Sequence, residues 1–502
     1  MSDHDARRAR NRTGANGTHR DRRRRSVRRA AGLALAAATA VGAGIAVAPP
    51  AAAEPECLHP SYDFDQDGEV DSVVGAPADG SVEVRFGTLG EPRTEVLTGD
   101  WGFGTAVTQL TSYEEEGDDE LCSQLVVGSP YEDVPGKPAA GAVYVYYYDL
   151  VAEEFVLRGR YTADSPGVPG VAQAGAEFGA SLASSASDVE VIDPRPRPLR
   201  VGSPGQDVDG ARDAGRVTSF TLGARDDTPR DGELLSLATP GAAGDPTPHA
   251  ALGRAISERA GLVAVGIPRH RVRGVENAGA VLLWLTDREP DGLYLINQGT
   301  PGMPGTPEQG DRFGTAVHVM GSALGPYNLV VGVPREDVDG RADAGSVAVG
   351  RVERFSEAPV RAFSGWNQNS PGMRGSAEAG DRFGTAVSSM FLDRWRAVVG
   401  VPDEDLGSAA DAGMVQVVGT DAAWTQSTAG VPGAAEAGDR FGARLSPDPW
   451  VRHDNVPQVG VPGEDGATGG VLSRLPISPS APGPEFWRGP VPGARYGLAV
   501  AP

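Results

Sequence analysis

The sequence predicts an all-β protein, seven sheets closed into a ring. Three observations lead there: a composition dominated by turn residues, a three-part unit written seven times, and the phase in which that series starts and stops. Gly 69 and Pro 41 make up about 22% of the 502 residues, against a usual ~12%. That is too much turn chemistry for a helical or doubly wound chain, and no Gly-X-Y period points to collagen. Two cysteines exclude a disulfide scaffold or a Cys-rich zinc module. With 40% hydrophobic and 22% charged residues the chain is a folding one rather than a disordered one.

The first element of the unit is an aromatic followed by glycine: Phe103-Gly104, Phe178-Gly179, Phe313-Gly314, Phe383-Gly384, Phe441-Gly442 and Tyr496-Gly497, with Leu252-Gly253 filling the gap. The second is Gly-x-Pro after a short Val-rich run, beginning at Gly75, Gly128, Gly202, Gly266, Gly332, Gly400 and Gly460. The third is Gly-x-Val opening another β-like run, at Gly80, Gly141, Gly215, Gly279, Gly345, Gly413 and Gly469. Val-Val and Leu-Val-Val ahead of Gly-x-Pro read as short β-branched strands, ended where proline removes a ladder donor. Glycine then supplies the bend into the next strand. Spacings of 53, 74, 64, 66, 68 and 60 residues between successive Gly-x-Pro elements suit four strands with loops, the size of a propeller blade. No sustained helical periodicity supports an α-solenoid, and the repeat is far too long for a β-helix.

The series opens on a Gly-x-Pro with no aromatic-Gly before it and closes on Tyr496-Gly497 with almost nothing behind it. An open array would leave naked sheet edges at both ends. Closure lets the strand around Tyr496–Val500 complete the blade begun at Asp63–Arg85, which makes seven whole blades. The expected fold is therefore a seven-bladed β-propeller over residues 54–502.

These motifs resemble the FG-GAP repeats of the integrin α-chain N-terminal propeller and its bacterial relatives, over nearly all of 62–501. The chain departs from that pattern at Leu252-Gly253 and in having Gly-Ser-Pro or Gly-Val-Pro for Gly-Ala-Pro. The resemblance implies an extracellular, calcium-stabilised propeller used for binding or cell adhesion.

Residues 1–53 read as an export signal. A polar stretch ends in Arg28-Arg29, an 18-residue apolar run spans Ala30 to Val47, and Ala51-Ala52-Ala53 offers a small-residue cleavage site. Cleavage is expected after Ala53, giving a secreted protein with no membrane attachment; an uncleaved anchor is the rival reading, and Sec and Tat routes both stay open. The first 53 residues hold eleven Arg and three Asp, so a chain of net charge −22 carries −30 on the remainder. Such an acidic body argues against nucleic acid and anionic membranes as partners.

One chemical site stands out. Asp63-Phe64-Asp65-Gln66-Asp67-Gly68-Glu69-Val70-Asp71 places alternate oxygen donors in a tight loop, the arrangement a hard Ca²⁺ requires. Asp63, Asp65 and Asp67 are expected to give carboxylates, Glu69 its backbone carbonyl, and Asp71 a carboxylate directly or through water. The spacing is that of an EF-hand without the position-12 glutamate or flanking helices. An acidic hairpin without metal is the plain alternative. Glu114–Glu120 is acidic but lacks the spacing. Asp207-Val-Asp209-Gly-Ala-Arg-Asp213 and Asp337-Val-Asp339-Gly-Arg-Ala-Asp343 reproduce part of it, with remnants at Glu404-Asp405, Asp411 and Glu464-Asp465; turn chemistry is the favoured reading there. Loops before and after Gly-x-Pro are expected on opposite faces of the disc.

Cys57 and Cys122 are expected to pair in an oxidising compartment, two buried free thiols being the alternative. His59, His249, His270, His318 and His453 show no metal-ligand spacing, and no Gly-x-Ser-x-Gly elbow appears. The seven tryptophans are dispersed and read mostly as blade packing. The expected function is a monomeric, non-catalytic binding module for an extracellular protein or glycan. The alternative is a carbohydrate-active enzyme, polysaccharide lyase-like, on a propeller scaffold.

Overall fold

The computed structural model describes residues 62–501 apart from 88–92, 113–121, 185–196, 224–226, 289–291, 322–326, 354–355, 357–358, 447–455, 478–482, 490–492 and 494. Its strands form seven four-stranded sheets, all antiparallel, and the one helical element among the described residues is a four-residue turn, Glu464–Ala467. Blade 2 shows the plan: Ala106–Ser112 innermost, then Cys122–Ser129, Ala142–Asp149 and Glu154–Tyr161 outward. The innermost strands of successive blades touch one another all the way round the axis. Blade 1 is built from both ends of the propeller. Ser72–Ala76, Ser81–Phe86 and Arg93–Thr98 are its outer three strands, and Ala499–Ala501 pairs with the first of them in the register Val73↔Ala501, Val74↔Val500, Gly75↔Ala499. The predicted ring closure is present, its strand set slightly later than Tyr496.

The three sequence motifs meet at one place, the joint between neighbouring blades. In the joint of blades 5 and 6 the Gly332 backbone lies so close to the next blade that a methyl group on it would sit 2.1 Å from the Gly384 carbonyl oxygen. Beside it Gly345 forms a parallel bridge with Phe383, again with no room for a side chain, and Gly384 N–H donates to Gly400 in its own blade at 3.1 Å. The aromatic ring between these backbones is fully buried, as are its counterparts in the other blades. Leu252 occupies the same slot, also fully buried, and keeps the bridge to Gly215. The aliphatic substitute therefore preserves blade geometry. At the closing joint Gly497 N–H donates to Gly75 at 3.2 Å, so the last glycine of the series completes the pattern on the first.

Glycine is required here by backbone approach, which gives a direct test. Gly332→Ala is expected to lower unfolding free energy by about 3 kcal/mol or more, the upper end for overpacking, because backbone rather than a yielding side chain is in the way. Phe383→Leu is expected to be mild, since Leu252 serves in that position. Urea unfolding measures both; a Gly332→Ala loss under about 1 kcal/mol would show that the joint opens without resistance.

Candidate metal centre

The acidic loop precedes Ser72–Ala76, whose far end carries Gly75-Ala76-Pro77, so the loop and the Gly-x-Pro turn lie at opposite ends of one strand. It is held from three sides. Phe64 N–H donates to Asp71 Oδ2 at 2.7 Å and Gly87 N–H to Asp71 Oδ1 at 3.0 Å, tying the loop to itself and to the end of Ser81–Phe86. Gly68 N–H donates to Asp63 Oδ2 at 3.0 Å across the turn. Toward blade 2, Tyr62 N–H donates to Gln109, and the Phe64 ring meets Phe155 edge-on at 5.3 Å. The loop thus clamps blade 1 to blade 2 as well as gathering carboxylates.

Oxygens of Asp63, Asp65 and Asp71 lie within 4.8 Å of one another, the only such group of three acidic or metal-ligating side chains among the described residues. Asp63 and Asp71 are buried and Asp65 half-buried. Burial, opposed by the two backbone N–H bonds, pushes the Asp71 carboxyl up to about 8; burial and the neighbouring Asp67 also raise Asp65. Asp65 Oδ1 is buried and accepts no hydrogen bond. Its Oδ2 is 3.7 Å from Arg93, a cation the sequence reading missed because it comes from the outermost strand of the blade. One guanidinium faces three carboxylates, so the charge is not balanced. Asp67 stands apart: it is exposed, and its Oδ1 accepts Glu69 N–H at 2.9 Å. The structure thus brings together three of the five predicted residues; Glu69 was expected to act through its carbonyl, and its side chain takes no part in the cluster.

The other acidic loops are turns. Asp207 Oδ1 accepts Asp213 N–H at 2.9 Å, Asp337 accepts Asp343 at 3.0 Å and Asp405 accepts Asp411 at 2.9 Å, with Asp209, Asp213, Asp339, Asp343 and Asp411 in the left-handed region. Each carboxylate closes its own loop, and among the described residues no group of three metal-ligating side chains gathers there. Glu404 accepts from Gln368 at 2.6 Å, and Glu464 from Gln426 at 2.5 Å, while Asp465 pairs with Arg488 at 2.6 Å. His318 is buried against Ser389 Oγ at 2.9 Å, His270 is buried near Thr247 Oγ1 at 3.3 Å, and His249 meets Asp213 at 2.8 Å. Trp284 and Trp424 are buried in their blades. Cys57, the Cys122 side chain, Glu114–Glu120, His59, His453, Trp450 and the segment read as an export signal lie outside the described residues.

No model of a known protein family matches the sequence, and no curated protein matches it. Solved structures do. A functionally unknown protein from Desulfotomaculum acetoxidans is 12% identical at a TM-score of 0.36, covering 73% of this chain and 84% of that one. BBS1N, solved in complex with ARL6DN, is 11% identical at 0.42, covering 86% and 94%. Sqt1 from Saccharomyces cerevisiae is 11% identical at 0.40, covering 84% and 90%. Likeness at this level says nothing about what the chain binds. The seven sheets read directly from strand pairing establish the β-propeller, a fold that supports a binding-type module at most.

Proposed function

We propose that the chain is a secreted FG-GAP-type propeller that acts as a monomeric, non-catalytic binding or adhesion module, with Ca²⁺ bracing its first blade. The observation that carries the metal is the convergence of Asp63, Asp65 and Asp71 within 4.8 Å, faced by the single guanidinium of Arg93. The donor set fits the ion: all oxygen, mostly carboxylate, in a tight loop. Asp63, Asp65 and Asp71 would hold it, with backbone carbonyls and water completing six to eight ligands. Bound there, the ion would relieve the mutual repulsion of three crowded carboxylates and stiffen the clamp between blades 1 and 2. Export is supported by the basic stretch, apolar run and small-residue site of residues 1–53. The binding role is supported by the fold and by the absence of a nucleophile elbow or metal-spaced histidines from the sequence.

Calcium is expected to raise thermal stability over EDTA by about 2.7 kcal/mol at a hundredfold excess over Kd, since only the folded loop assembles the ligands. Asp65→Ala is expected to abolish most of that difference while leaving the EDTA-treated chain nearly as stable as before, because it also removes a repelling charge. Differential scanning calorimetry with and without calcium reads both. An unchanged calcium response in Asp65→Ala would move the metal elsewhere, and no response in the parent chain would end the metal assignment.

A further inference from the structure

The innermost strands of all seven blades enclose a cavity of about 800 Å³ on the axis. Its mouth lies on the Gly-x-Pro side, since Tyr131 and Arg269, which follow two of those prolines, line it. That is the end away from the acidic loop. In a body of charge −30 the mouth is basic: Arg254, Arg269, Arg312 and Arg444 line it. The carboxylates beside them are already engaged, Glu177 with Arg254 at 3.5 Å, and Asp213 with His249 at 2.8 Å and Arg212 at 3.5 Å. Arg269 and Arg312 form no ion pair among the described residues, although Asp343 favours the charged form of Arg312, and Arg444 donates only to the Leu498 and Ala443 carbonyls, at 2.9 and 2.8 Å.

These arginines press on one another. Burial and then the charges of Arg335 and Arg269 disfavour the cationic form of Arg312, with Asp343 opposing, and Arg254 and Arg444 are a further like-charged pair at the mouth. Arg312 is also held at φ +59, in the left-handed region that a long side chain rarely adopts. The residue before aromatic-Gly takes that conformation in other joints too, so what a bound anion would relieve here is the gathering of like charges in one open cleft. A second feature narrows its nature. Tyr131 lines the cavity and carries Trp101 stacked on it at 4.8 Å, and the indole is 65% exposed. An exposed indole stacked on a wall residue of a mouth that arginines also line suits the C–H face of a sugar ring that bears carboxylates, in a cavity of ordinary small-ligand size rather than one sized for a lone inorganic ion.

We infer that the channel mouth binds an acidic oligosaccharide, its carboxylates on Arg269, Arg312 and Arg444 and a sugar face on Trp101. The inference rests on the chain being a binding module and is independent of the metal.

Trigalacturonate, the neutral trisaccharide maltotriose, citrate and hexaglutamate are titrated calorimetrically into the full chain, with calcium and again with EDTA. Trigalacturonate is expected to bind, weakening with salt, and maltotriose to bind at least about tenfold more weakly. Arg269→Ala with Arg312→Ala is expected to cost about tenfold or more, and Trp101→Ala a further severalfold loss, all with unchanged melting temperatures. Trp101 and Arg269 are exposed, so these variants should fold; Arg269→Lys serves as the milder check on geometry. No binding of trigalacturonate, equal binding by the arginine variant, or equal affinity for citrate or hexaglutamate with Trp101→Ala silent would overturn the inference. NMR of the recovered sugar separates the two readings: an intact ligand keeps both, whereas cleaved product leaves the site standing and ends the non-catalytic one.

Discussion

Removing residues 496–502 is expected to cost the propeller most of its stability. The deletion takes away the innermost strand of blade 1, with its pairs Val73↔Ala501, Val74↔Val500 and Gly75↔Ala499. It also removes the Tyr496 ring, which is 1% exposed, packs with Val74, Ala76, Val471 and Val500, and accepts from Arg85 at 3.3 Å. Loss of one such buried aromatic alone costs about 3–5 kcal/mol, against a typical total of about 5–15 kcal/mol. What remains at the seam is the bond from Gln458 Nε2 to Ser72 Oγ at 2.6 Å, Arg85 over the Trp487 ring at 4.8 Å, Val471 of the Val74 and Ala76 cluster, and a bare strand, Ser72–Ala76, facing the axis. An unpaired, wholly buried strand turned to water recruits other chains. The truncated chain should melt far below the intact one, bind a hydrophobic dye, and elute as aggregates. Adding a synthetic peptide of residues 494–502 should restore part of the loss. A truncated chain that melts within a few degrees of the parent would show that the ring does not depend on its last strand.

This seam was legible in the sequence because the motifs are joint residues. A backbone that passes 2.1 Å from where a methyl would stand admits glycine alone, so Gly332 and its counterparts recur whatever surrounds them. Counting joints then counts blades. Leu252 passes because the slot selects a buried apolar side chain rather than an aromatic one. The acidic loop was legible in part, since Asp63, Asp65 and Asp71 converge through a local turn. Asp67 lies outside that group, its carboxylate closing the turn onto Glu69 N–H. Arg93 could not be found by spacing, because it arrives from another strand. The arginine mouth was hidden for the same reason, four residues scattered from 254 to 444 and assembled only by the ring. Its one local trace is Gly-Asp-Arg-Phe-Gly, written at Gly310, Gly380 and Gly438.

That same repeated segment makes stability depend on pH in an unusual direction. Asp311, Asp381 and Asp439 are buried at their joints, accepting the N–H of Glu308, Glu378 and Glu436 at 2.6, 2.6 and 2.5 Å. Burial outweighs those bonds and pushes each carboxyl up to about 6. Beside them Glu336 and Glu404, each held by a glutamine amide at 2.6 Å, are pushed by burial up to about 7. Unfolded, these groups return to about 4. The folded chain therefore binds more protons between those limits, so the stabilisation they contribute is complete near pH 4 and is lost as pH rises through 6 to 7. His270 and His318 oppose this. Burial holds both neutral, with His318 pushed down to about 3, and their contribution is lost as pH falls below their ordinary 6.5. At roughly pH 5.5 the His318 imidazole costs about 1.4 kcal/mol, and His270 acts in the same direction. The two glutamates and three aspartates outweigh that loss, and Asp71, pushed up to about 8, acts in the same direction as they do. The melting temperature should accordingly be several degrees higher near pH 5.5 than near pH 7.5. Glu336→Gln with Glu404→Gln keeps the shape and hydrogen bonds without the charge, so it should raise the melting temperature at the higher pH and flatten the profile. The variant also separates these two groups from the general relief of repulsion in a chain of charge −22. A parent chain whose melting temperature falls steadily from pH 7.5 to 5.5 would mean that the histidines, not the joint carboxylates, govern its response to acid.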